Sequence, residues 1–114
     1  MISRRHLLQV GAAAAMLASV AHGRIAVQEL MVFDGRFVAA RQAARAHRRT
    51  VDCAQDAARA WYRDIAAVLQ PDMTLLGVTS TADLLILTDL ARSTGRKPHT
   101  QWVLPSGLLA WNLA

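Results

Sequence analysis

The chain has 114 residues, a formal charge of +5, 54% apolar residues and one cysteine. That length suits one compact domain and is too short for two. The lone Cys53 excludes an intrachain disulfide, an iron–sulfur cluster and a zinc ribbon, so stability must come from a packed core.

The first predicted element has the layout of an export signal. Arg4 and Arg5 form a short positive start, and no acid precedes Glu29. Leu7 to Ala21 follows as a charge-free run of 15 residues, weakly hydrophobic because alanine supplies so much of it. It falls short of the roughly 20 apolar residues that a permanent membrane-spanning helix needs. Ser19 and Ala21 set small residues three and one positions before a cut, so cleavage is expected after Ala21, with Gly23 as second choice.

The segment Ser3-Arg4-Arg5-His6-Leu7-Leu8-Gln9 resembles the twin-arginine (Tat) signal, in which Ser/Thr-Arg-Arg-x precedes an apolar pair and often lysine. The serine, both arginines and the apolar pair match. Leu7 stands where phenylalanine is common, and Gln9 where lysine is. The resemblance covers the signal (1–21) alone. It implies the Tat translocase as a partner, a bacterial-type cell, and export of an already folded protein to the periplasm. A Sec-type signal that contains two arginines is one alternative. An uncleaved anchor on the inner membrane is the other, and the only reading that makes the membrane a partner.

Cleavage after Ala21 leaves 93 residues, 22–114, as a single domain with eleven basic and eight acidic residues. No cluster of basic residues is interleaved with aromatics, so nucleic acid is not an expected partner. Arg24 to Asp34 reads as a strand whose nearly continuous apolar run suits burial on both faces, and Asp34-Gly35 supplies a turn. Residues 36–48 fit a helix with Ala39, Ala40, Ala43, Ala44 and Ala46 on one side. Arg41, Arg45, Arg48 and Arg49 gather on the other. Thr50 to Cys53 is a short second strand. Asp56 to Leu69 is a helix with Ala58, Trp61, Tyr62, Ile65, Val68 and Leu69 on its apolar face, closed by Pro71.

Met73 to Thr79 reads as a third strand. Ser80 and Asp83 then have capping-box spacing, opening a helix that buries Leu84, Leu87, Leu90 and Ala91. Leu85 and Ile86 are expected to widen that buried face. Gly95 and Pro98 end the helix. His99 to Pro105 forms a fourth strand, Pro105-Ser106-Gly107 a hairpin turn, and Leu108 to Leu113 a fifth strand at the sheet edge.

This alternation predicts a small three-layer α/β domain: a mainly parallel sheet of four or five strands, flavodoxin-like or half-Rossmann-like, ending in a hairpin. Ligands of such sheets bind beyond the carboxyl ends of the strands, where the strand order switches. If the strand order is 2-1-3-4, Asp34, Thr79, Ser80 and Thr81 line one crevice. Hydroxyls and free amides at a helix start can hold an anion or phosphate, although Ser and Thr serve there more often as plain caps. No glycine-rich phosphate loop accompanies them.

Asp34 and Asp52 read as turn formers rather than metal ligands. His22, His47 and His99 are dispersed, and Ser106 lacks the setting of a nucleophile elbow. Cys53 reads as a small buried hydrophobe; a nearby Arg48 or Arg49 would instead make it reactive. Trp102 and Trp111, on the hairpin, face opposite sides of the sheet. One belongs to the core, and the other, beside Leu109 and Leu113, offers a hydrophobic patch to a partner. No catalytic residue, metal or cofactor motif emerges. The expected function is that of an exported, non-enzymatic accessory or interaction protein. The alternative is a small-ligand binder or hydrolytic enzyme that uses the strand-end crevice.

Overall fold

A computed structural model describes residues 28–54 and 56–114. The signal, His22 and the predicted beginning of the first strand lie outside the described residues. The elements in chain order are β1 (Glu29–Phe33), α1 (Val38–Ala44), β2 (Thr50–Asp52) and α2 (Ala57–Ala60), which runs on through a π-helical turn, Trp61–Ile65. Then come β3 (Thr74–Thr79), α3 (Thr81–Ala91) with a 3-10 turn at Arg92–Thr94, β4 (Pro98–Val103) and β5 (Leu109–Leu113).

The five strands lie in the order β2-β1-β3-β5-β4. β1 pairs in parallel with β2 and β3, while β5 is antiparallel to both β3 and β4. This corrects the expectation of a mainly parallel, flavodoxin-like or half-Rossmann-like sheet: the domain is mixed α/β. It also corrects the place of the last strand, which sits inside the sheet rather than at its edge.

Burial explains the swap. All five residues of β5 are buried, so it is apolar enough on both faces for an interior position. β4 begins with Pro98 and carries exposed His99, Gln101 and Val103. A proline at the first residue and a polar pattern suit an edge strand. The turn between the two closes as predicted, with Gly107 at φ 88°, a left-handed conformation that favours glycine. There the Leu104 amide donates to the Leu108 carbonyl at 2.8 Å.

The helices pack on both faces of the sheet. Ala40 and Ala44 of α1 join Met31, Leu76, Val78 and Ala110, with Ala39, Ala43 and half-buried Trp102 beside them. Four of the five alanines read from the sequence form the packing face, whereas Ala46 lies beyond the end of the helix and is exposed. On the other side, Ala57, Ala60, Trp61 and Ile65 of α2 and Leu84, Leu87 and Ala91 of α3 enclose Leu30, Val32, Leu75 and Trp111. Trp111 lies across from Gly77, where an added Cβ would fall 2.0 Å from the indole. A glycine there gives the ring its slot.

The predicted apolar faces of α2 and α3 are too wide. Tyr62 is 70% exposed, Leu85 65% and Ile86 41%. The buried stripe of α3 runs through Leu84, Leu87 and Ala91, and at 100° per residue Leu85 and Ile86 fall on the outward side. Buried Arg96 ties the start of β4 to that of β3, donating to the Met73 carbonyl through Nε at 3.2 Å and Nη2 at 2.9 Å, and to the Gln70 carbonyl.

Candidate functional site

The strand order switches between β1 and β3, since β2 and β3 flank β1 on opposite sides. The carboxyl ends of these strands gather Asp34, Asp52, Cys53, Thr79 and Ser80. The Asp34 amide donates to the Val78 carbonyl at 3.1 Å, which brings the ends of β1 and β3 together.

Asp34 is wholly buried, and its carboxylate is occupied. Oδ1 accepts from the Arg36 amide at 3.1 Å and from Arg36 Nε at 3.0 Å, while Oδ2 accepts from Arg36 Nη2 at 2.7 Å. These hydrogen bonds hold the Asp34 carboxyl below the usual carboxylate range and raise Arg36 in turn. The Arg36 side chain stays 58% exposed, 5.8 Å from the centre of the Phe37 ring. Asp52 is a turn residue: its Oδ1 accepts from the Gly35 and Ala54 amides, both at 2.9 Å.

Thr79 is also wholly buried. Its hydroxyl accepts from Trp111 Nε1 and donates to the Ser80 carbonyl, both at 3.0 Å. Ser80 Oγ accepts from the Asp83 amide at 3.2 Å, the predicted N-cap. Thr81 is exposed in the first turn of α3. The four predicted crevice residues therefore share one end of the sheet, but Asp34 and Thr79 present no surface to a ligand.

Two participants were not singled out in the sequence. Arg36 had one readable signal, its place two residues after a turn-forming aspartate, from which a long guanidinium reaches back. Asp83, read only as a capping partner, also meets Cys53, whose thiol donates toward its Oδ2 at 4.0 Å. Burial raises the Asp83 carboxyl above its ordinary value, the bond network at Ser80 opposes this, and Asp34 adds to the rise. Burial first, then the charge of Asp83, pushes the Cys53 thiol up to about 12. A thiol so placed is protonated at neutral pH and is a poor nucleophile. Arg48 and Arg49 precede β2 and Cys53 follows it, so they stand at opposite ends of that strand.

Trp111 is buried in the core and Trp102 is half-buried on edge strand β4, against the opposite face of the sheet. Of the two, Trp102 alone retains surface for a partner. His99 lies exposed on β4, and the side chain of His47 faces Glu29, Nδ1 to Oε1 3.6 Å. Among the described residues no three His, Cys, Asp or Glu side chains are placed to hold a metal ion, and no helix is long and apolar enough to cross a membrane. No family model, no curated relative and no solved structure matches the chain.

Proposed function

We propose that this chain is a Tat-exported, non-enzymatic accessory protein of the periplasm that acts by docking on a protein partner. The observation that carries the docking is the outward side of α3, where Leu85 and Ile86 stand adjacent and exposed. Two exposed apolar side chains 100° apart on the outward surface of a helix offer apolar contact area to a partner. The polar groups at the strand ends support the same reading, because Asp34, Asp52, Thr79 and Ser80 each bond within the domain. The paired Arg4 and Arg5 supply the export half.

Each half has its own test. Residues 1–27 fused to a fluorescent reporter that folds in the cytoplasm should carry it to the periplasm, and Arg4→Lys with Arg5→Lys should abolish that. Unchanged export by the double variant would remove the Tat reading. For docking, a photo-crosslinking residue at Leu85 of the exported protein should give one discrete adduct, lost on Ile86→Lys. An adduct pattern indifferent to Ile86→Lys would remove α3 as the docking surface.

A further inference from the structure

A second polar region lies at the opposite end of the sheet, where the chain leaves α1 and enters β2. A cavity of about 340 Å³ opens there, lined by Gln28, Glu29, Ala46, His47, Arg48 and Arg49. We infer that this cavity binds a phosphate group, held between the guanidinium forks of Arg48 and Arg49.

The charge pattern selects the ligand. Glu29 brings one negative charge to the wall, and His47 faces it, Nδ1 to Oε1 3.6 Å. The imidazole is only 6% exposed, so acid and ring are set against each other in the wall. Neither Arg48 nor Arg49 pairs with an acid among the described residues. With the Glu29 carboxylate in the same wall, the two guanidiniums still leave the lining net positive, and their forks suit a phosphate group, whose oxygens can accept from both.

One fork is already oriented. Arg49 Nη1 donates to Gln28 Oε1 at 3.0 Å, and the Arg49 carbonyl accepts from the Met31 amide at 2.9 Å. Backbone and side chain of Arg49 are thus both fixed at the cavity wall, which lowers the ordering cost of a bidentate contact. The volume lies at the lower end of the range for small-molecule sites. It admits a phosphate with a few attached atoms.

Phosphate can come from a soluble ligand or from a lipid headgroup, and two measurements separate them. In the first, the purified full chain is titrated calorimetrically with inorganic phosphate and glycerol phosphate, against chloride at matched ionic strength. Saturable binding should weaken about tenfold in Arg48→Gln, the loss of a charge-assisted contact. Gln28→Ala, which preserves every charge but releases the Arg49 fork, should weaken it severalfold. Heat no different from chloride, or binding indifferent to Arg48→Gln, would overturn the site.

In the second, flotation with phosphatidylglycerol vesicles is compared with phosphatidylcholine vesicles. Flotation that is lost in Arg48→Gln and displaced by inorganic phosphate would assign the headgroup. Phosphate binding without flotation would assign a soluble ligand. Flotation that phosphate does not displace would overturn the site in favour of diffuse surface charge.

Discussion

At the carboxyl end of the sheet, Asp34, Asp52, Thr79 and Ser80 each bond to a neighbour within the domain, whereas at the amino end Arg48 and Arg49 meet no acid among the described residues. The general rule for open α/β sheets directs attention to the first end. Here the polar groups at that end close turns and caps, and the cavity lined by Arg48 and Arg49 lies at the other. A rule about where parallel strands present ligand sites loses force when an antiparallel strand enters the sheet and the strand-end loops are consumed by their own side chains.

Substitutions at the two ends should behave in opposite ways. The largest effect is expected from Asp34→Ala, which strips the Arg36 amide of its acceptor and frees the guanidinium. Loss of one buried side-chain acceptor in the turn, with the exposed guanidinium bond largely screened by solvent, should cost about 1–2 kcal/mol in a urea melt. An unchanged midpoint would mean that the carboxyl end is not structural.

The next effect is a pair of opposite pH responses. Arg36 depresses the folded-state pKa of Asp34, so the stability it contributes is present above the unfolded carboxylate pKa and fades as pH falls through the folded value. Burial raises that of Asp83, so its contribution is present below the unfolded pKa and fades as pH rises through the folded one. Relative to wild type, Asp34→Asn should therefore lose more stability at neutral pH than at acid pH. Asp83→Asn should gain at neutral pH and lose that gain in acid. Melts from pH 3 to 7 that move both variants the same way would contradict the assignment.

A smaller and purely kinetic effect concerns Cys53. Buried and pushed up to about 12, its thiol should react with maleimide at pH 7 only as fast as the domain opens, and at full speed in urea. Prompt labelling of the native protein would show that the end near Asp83 is open. The smallest effect belongs to the amino end. Arg48→Ala should shift stability by no more than about 0.5 kcal/mol, as expected of an exposed side chain with no ion pair among the described residues. A larger loss would turn the supposed ligand-binding arginine into a structural one.

Much of the local structure was legible in the sequence because short-range chemistry decides it. Ser80 caps α3, Asp56 Oδ1 accepts from the Arg59 amide at the start of α2, and Gly95 ends the 3-10 turn at φ 80°. Each involves residues within a few positions. The adjacency of β1 and β3 entered only as part of a supposed order 2-1-3-4, and it holds in the structure. The place of β5 did not, since insertion between β3 and β4 depends on competition between two strands for one interior slot. The apolar content of β5 against proline-led β4 was the available signal. Leu85 and Ile86 were misjudged because periodicity ranks faces by hydrophobicity, whereas burial depends on the area the sheet offers. The crevice residues were located at the correct end, but the reach of Arg36 onto Asp34 is a matter of side-chain geometry that spacing does not encode.

The interior position of β5 also sets an order of events. Among the described residues, β3 gains its second neighbour, and β4 its only one, from residues 109–113. A nascent chain that has not yet released those residues from the ribosome can pair β1, β2 and β3 but cannot close the sheet. Completion depends on contacts distant in sequence, a feature associated with slow folding.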